Sequence, residues 1–136
     1  MLDELEKDGY IRKLPPDPQR VENSLQLAHR DLKSARKMLE NDFDWSFNIA
    51  YNSILQAIRA LMFQEGYRPS RRKSHRAVVK FAEVMLGKED ATYLDRMRRK
   101  RHQSVYDISG IVTMTEAQNA ITRAEKIIKK VETELE

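Results

Sequence analysis

The chain has 136 residues, so one domain with a single core of ordinary size is expected rather than two. It contains no Cys, which excludes a disulfide framework and a cysteine metal site and fits a reducing compartment. Charged residues make up 34% of the chain, aromatic residues only 7%, and Gly and Pro four each, a profile that favours an all-α fold.

The formal net charge is +4, and most of the excess lies in residues 68–76 and 96–102. Basic surface concentrated in this way indicates an anionic partner such as RNA or a nucleotide. The first residues are acidic, which is unlike a signal peptide, and no apolar run is long enough to span a bilayer. These features predict a cytoplasmic protein with no membrane partner.

Residues 1–14 are predicted to form an N-terminal arm or short helix, because Gly9 weakens the segment and prolines follow it. Residues 15–136 are predicted to form the helical bundle domain. Asp17 is expected to cap its first helix, with Pro18 at the first helical position, and this helix should reach about Glu40.

The next helix, from Trp45 to about Glu65, is apolar over most of its circumference, so it is predicted to lie at the centre of the bundle. Its polar side chains form one narrow line, which is interpreted as a buried hydrogen-bond ladder rather than a site. That line consists of Asn48, Asn52, Gln56 and Arg59.

A basic loop follows Gly66, and Ser74 is expected to cap the helix after it. His75 would then lie in the first turn, where free backbone N–H groups could help it hold a phosphate. The alternative is a His75 that only hydrogen-bonds across the loop. The last helix should begin at a capping box, either Thr113 with Glu116 or Thr115 with Gln118.

The stretch from Asp95 to Asp107 reads DRMRRKRHQSVYD and is predicted to be a basic helix. An apolar stripe runs through it at the helical repeat, formed by Tyr93, Leu94, Met97, Val105 and Ile108. Arg101 lies at the edge of this stripe, where a guanidinium needs an acceptor. A solvated basic helix with no ligand is the alternative interpretation.

Candidate site residues follow from this charge pattern. Arg98, His102 and Tyr106 are spaced by four residues and share a face that suits a phosphate with a base or ribose. The predicted RNA- or nucleotide-binding residues are Arg98, Arg68, Arg71, Arg72, His75 and Arg76. The candidate catalytic residues are Arg101, His102 and Tyr106. No Gly-rich phosphate loop is present and the His residues are scattered, so neither a cofactor nor a metal is predicted.

Three short motifs in order resemble the HEPN superfamily of small helical-bundle proteins. They are the entry Trp45–Tyr51 to an apolar helix ending in RALM (Arg59–Met62), the turn GYRP followed by His75, and RHQSVYD from Arg101 to Asp107. The resemblance covers roughly residues 20–132. It implies an up-and-down bundle of four or five helices, usually a homodimer in which the helices carrying an R-x4-6-H motif face each other across a cleft.

Many HEPN proteins are metal-independent endoribonucleases, often toxins encoded beside a nucleotidyltransferase antitoxin, while others bind only nucleotides or a partner subunit. This chain departs from the ribonuclease motif, because Tyr106 occupies the position where the motif has His. The leading hypothesis is an RNA- or nucleotide-binding component of a toxin–antitoxin or nucleotidyltransferase-paired module. The alternatives are an endoribonuclease that uses Arg101 and His102, and a non-catalytic subunit that docks a partner protein. Whether the protein is an enzyme is left open.

Overall fold

The computed structural model describes residues 1–136 and contains six helices and one two-stranded sheet, so the predicted all-α bundle is confirmed. Five of the helices are long enough to build the bundle, and the first is a short N-terminal helix. In chain order the helices are α1 (Leu2–Lys7), α2 (Pro18–Met38), α3 (Phe43–Gln64), α4 (Ser74–Met85), α5 (Lys88–Tyr106) and α6 (Met114–Leu135).

Helix α3 lies at the centre, as its apolar circumference predicts, and packs against α2, α4, α5 and α6. Tyr51, Ile54 and Ile58 have no solvent exposure. Small residues on the same helix, such as Ala50 and Ala57, allow the neighbouring helices to approach closely. The single hydrophobic core is therefore organised around this helix.

Local signals in the sequence place most of the helix ends. The Asp17 side chain accepts a hydrogen bond from the Gln19 amide at 3.0 Å, and Pro18 occupies the first position of α2. Thr113 and Glu116 form the capping box at the start of α6. The expected Ser74 cap is wrong, because Lys73 occupies the cap position without a side-chain hydrogen bond and Ser74 is already helical.

The N-terminal segment contains the short helix α1, and a strand follows it. Strand β1 (Ile11–Lys13) pairs antiparallel with β2 (Tyr67–Pro69), with Ile11 opposite Pro69. Ile11 is fully buried, so the strand is held by the core as well as by the ladder. No alternating pattern in the sequence predicted these two strands.

Polar contacts join α5 and its following loop to the rest of the bundle. Asp90 near the start of α5 is buried and accepts hydrogen bonds from Arg123 at 2.8 Å and Lys130 at 2.5 Å, both on α6. Burial opposes ionisation of Asp90, but these two cations outweigh it and hold its pKa below the usual range. Beyond the C-terminal end of α5, the Asp44 carboxylate accepts hydrogen bonds from the backbone amides of Gly110 and Val112.

The end of α5 does not continue the predicted apolar stripe. Leu94 and Met97 are buried, whereas Val105 is exposed and Ile108 lies beyond the helix with 59% of its surface exposed. The last turn of α5 is therefore not covered by the core that buries the first part of the helix. No helix in the protein combines the length and apolar character needed to cross a membrane.

Candidate functional site

The site begins with a hydrogen bond between α3 and α4. The hydroxyl of the buried Tyr51 lies 2.9 Å from Nδ1 of His75, and the two ring centroids are 5.6 Å apart. Burial raises the pKa of the Tyr51 phenol, so it stays protonated near neutral pH. We assign the phenol as donor and Nδ1 as acceptor, which places the proton of the neutral imidazole on Nε2.

The positive charges of three arginines act on this pair. The Arg101 guanidinium carbon lies 5.6 Å from the centroid of the Tyr51 ring. Burial lowers the pKa of His75, and the positive charges of Arg101, Arg59 and Arg98 lower it further. His75 is therefore neutral at physiological pH. We refer to Tyr51, Arg59, His75, Arg98 and Arg101 as the arginine cluster.

Two members of the arginine cluster lack an acceptor. The Nε atoms of Arg59 and Arg101 are both buried without a hydrogen-bond partner. Burial also lowers the pKa of Arg59, and no carboxylate offsets it. Of the three arginines, only Arg98 has an acidic partner, since its Nε donates a hydrogen bond to the Asp95 carboxylate at 2.9 Å. A buried donor without an acceptor costs about 1–3 kcal/mol, so the arrangement is suited to an added anion.

The polar line on α3 does not form the expected hydrogen-bond ladder. Asn52 is exposed, and Asn48 reaches only Ser104 on α5, at 3.5 Å, with its own Oδ1 buried and unpaired. The buried Nε of Arg59 has no hydrogen-bond partner, and the positive charge of Arg59 lowers the pKa of His75. The line therefore contributes Arg59 to the arginine cluster, a role that the ladder interpretation missed.

His102 and Tyr106 occupy a different surface. Their rings are 4.9 Å apart in the last two turns of α5, which confirms that they share a face, but both side chains are exposed. Arg101 is directed towards Tyr51, whereas Tyr106 keeps 67% of its surface in solvent. The candidate catalytic residues are thus divided between the arginine cluster and the exposed end of α5.

The predicted binding residues between 68 and 76 also lie on different parts of the surface. His75 belongs to the arginine cluster, and Arg76 lines a neighbouring groove together with Arg98. Arg68 donates to the carbonyl of Pro69, while Arg71 and Arg72 are exposed on the loop. Within one chain, Arg76 and Arg98 therefore line the same groove, whereas Arg68, Arg71 and Arg72 lie outside it.

Sequence reasoning did not identify Tyr51 or Arg59 as site residues. The helical pattern places Tyr51 on the apolar stripe of α3, which is correct for its ring, but its hydroxyl faces His75. A usable signal was present, because a fully buried Tyr requires a partner for its hydroxyl. No three His, Asp or Glu side chains lie together in a way that could hold a metal ion.

Comparison with known proteins agrees with this architecture. The HEPN domain model matches residues 21–134. The crystal structure of TT1696 from Thermus thermophilus is 21% identical, with a TM-score of 0.65 over 84% of this chain and 97% of that one. The crystal structure of ST0689, an archaeal HEPN homologue, is 22% identical, with a TM-score of 0.63 over 85% of this chain and 98% of that one. None of the curated proteins matches the sequence. Since the family model spans most of the chain, the protein belongs to the HEPN family.

Proposed function

We propose that this HEPN protein binds RNA or a nucleotide, with a phosphate group held by the arginine cluster. Two observations carry the proposal. The Nε atoms of Arg59 and Arg101 are buried without an acceptor, and the Arg101 guanidinium lies 5.6 Å from the ring centroid of Tyr51, which bonds to His75. Guanidinium groups stay charged when partly buried and present paired N–H donors that match phosphate oxygens.

A bound phosphate would satisfy three needs of the arginine cluster. It would accept from the unpaired guanidinium groups, reduce the repulsion among them, and accept from Nε2–H of His75. Such a site contacts the backbone rather than the base, so it does not distinguish RNA sequences by itself. The exposed Tyr106, whose ring lies tilted beside that of His102, offers a ring for a base.

Titration of labelled RNA at several salt concentrations tests this function. Affinity should fall as salt rises, because each neutralised phosphate releases counterions, and Arg101→Met should weaken binding about tenfold. Lys129→Met, which removes an exposed cation on α6, is the matched control and should bind like wild type. Binding that is independent of salt would contradict the proposal and favour the alternative of a subunit that docks a partner protein.

The endoribonuclease alternative is tested with the same RNA in EDTA. The structure favours little or no cleavage through Arg101 and His102, since the first is half-buried beside Tyr51 and the second is exposed beside Tyr106. Cleavage that is lost in His102→Ala would support the alternative. Cleavage that is lost in His75→Ala but not in His102→Ala would instead assign acid–base catalysis to the arginine cluster.

We further propose that the protein is a homodimer. Large apolar side chains are exposed at one end of the bundle, including Trp45 with 52% of its surface exposed, Ile108 and Met114. The contacts of Asp44 with Gly110 and Val112 hold the start of α3 beside the loop after α5, so these side chains belong to one region. A twofold interface there would bring two copies of α5 together. Light scattering should then give twice the chain mass of 16.0 kDa, and a monomer at micromolar concentration would contradict it.

The protein is also proposed to act in a toxin–antitoxin or nucleotidyltransferase-paired module. The support is family resemblance, since HEPN proteins are often encoded beside a nucleotidyltransferase, and this chain carries the HEPN domain over residues 21–134. Copurification with the protein encoded beside it tests the pairing. A neighbouring product that does not bind would argue against it.

A further inference from the structure

A second basic feature lies beside the arginine cluster, in the groove between α4 and α5. The groove has a volume of about 650 Å³ and is closed at one side by Tyr10 from the N-terminal segment. Its cationic lining residues are Arg76, Lys80, Lys88, Arg96, Arg98 and Arg99. We call this feature the α4–α5 groove.

The charge of the α4–α5 groove is not balanced within the protein. Only two carboxylates, Glu83 and Asp95, face its six cations. Asp95 is already engaged by Arg98 and Arg99, and these contacts hold its pKa low against the opposing effect of burial. Most of the lining cations therefore have no anionic partner, and the groove attracts an extended polyanion.

Tyr10, which forms one wall of the groove, lies outside the part of the chain that matches the HEPN model. Residues 1–20 precede the part that matches the HEPN model. The Tyr10 carbonyl accepts from the Ser70 amide at 2.8 Å, and β1 follows directly. The Tyr10 ring lies under Lys73 at 4.8 Å and Lys80 at 5.9 Å, so it positions two ammonium groups by cation–π contact.

The two features adjoin along both helices. On α4, Arg76 lines the groove and follows His75, which bonds to Tyr51. On α5, Arg98 lines the groove one turn before Arg101, which lies against the Tyr51 ring. We propose that the α4–α5 groove binds the backbone of single-stranded RNA that continues from the phosphate in the arginine cluster, with the N-terminal segment as one wall. This inference rests on the proposed function. A concave groove lined by cations follows a flexible single strand, whereas duplex RNA is recognised across two successive minor grooves by a broad surface.

The groove contains a single aromatic ring, and lysines cover it. Binding is therefore dominated by phosphate contacts and tolerates any base sequence. It also depends on RNA length, because a mononucleotide reaches the arginine cluster without occupying the groove.

Fluorescence anisotropy on the full chain tests the proposal with a mononucleotide, a single strand of about 10 nucleotides, a duplex of the same length, and inorganic polyphosphate. The groove variant is Lys80→Ala with Lys88→Ala, and the control is Lys126→Ala with Lys129→Ala, which removes the same charge from α6. The groove variant should bind the single strand about tenfold more weakly than wild type. Its salt slope should be shallower by about 0.7 for each phosphate that is no longer neutralised.

The control should change single-strand binding less than about twofold, and the ratio of single-strand to mononucleotide affinity should fall only in the groove variant. Equal losses in the two variants, tighter binding of the duplex than of the single strand, or tighter binding of polyphosphate than of the single strand would overturn the inference. Unchanged single-strand binding in the groove variant would overturn it while leaving the proposed function intact. A wild type that binds neither the mononucleotide nor the single strand would reject both.

Discussion

Ile54→Asp is expected to lower the free energy of unfolding by about 4 kcal/mol or more, the largest effect on stability anticipated here. Ile54 has no solvent exposure and lies midway along α3, which the other long helices surround. An aspartate there would be an ionised group without a partner, or would have to take up a proton to stay buried. Urea denaturation followed by circular dichroism measures the change.

Asn52→Asp provides the control on the same helix, because Asn52 is exposed. This substitution introduces the same side chain and should change the free energy of unfolding by no more than about 0.5 kcal/mol. If Ile54→Asp unfolded at the wild-type urea concentration, α3 would not be the centre of the core.

Arg101→Met is expected to separate stability from anion binding. Without an anion, the variant should be at least as stable as wild type, because it removes a buried Nε without an acceptor and reduces repulsion from Arg59 and Arg98. Sulfate should stabilise wild type by mass action, by about 2.7 kcal/mol at a hundred times its dissociation constant, and should lose this effect in the variant.

Sulfate also stabilises proteins in general by exclusion from their surface, so the relevant quantity is the difference between the two proteins at one sulfate concentration. Lys129→Met is the control for charge and should respond to sulfate like wild type. Thermal unfolding of the three proteins with and without sulfate measures the effect. Equal responses of wild type and Arg101→Met would show that the arginine cluster holds no anion.

Titration of His75 should make both the stability of the protein and its stabilisation by sulfate depend on pH. In the folded protein its pKa is lowered, while in the unfolded chain it is about 6.5, so below that pH the unfolded state binds more protons. The anion-free protein should therefore lose stability as the pH falls through about 6.5. Bound sulfate offsets the arginine charges and raises the pKa of His75, so the stabilisation by sulfate should be larger at acidic pH. His75→Gln should remove this difference.

The fold could be predicted because its signals are local. The apolar circumference of α3, the Asp17–Pro18 start of α2 and the Thr113–Glu116 capping box all depend on residues within one helix or one turn. Such features are encoded in short stretches, which is also why the three HEPN motifs were visible in the sequence.

The site was predicted only in part, because its contacts join distant parts of the chain. The sequence indicated that Arg101 lies at the edge of a buried face, and the structure confirms it. That Tyr51 faces His75, and that Arg101 lies against the Tyr51 ring, depends on how α3, α4 and α5 pack, which helical periodicity does not specify. Likewise, α5 has a helical pattern to its end, but the pattern does not show that the bundle stops covering it before Val105.

The pairing of β1 with β2 has a consequence for the order of folding. Helices α2 and α3 are neighbours in sequence and pack together, so their contacts close only short loops. The ladder from Ile11 to Pro69 instead closes a loop that contains both of these helices, and it is only three residues long in each strand. It is expected to form late and to open before the bundle does, with hydrogen exchange faster in β1 than in α3. Such local opening, which must also withdraw the buried Ile11, would release the Tyr10 wall. A strand of RNA would then enter the α4–α5 groove from the side instead of being threaded from an end.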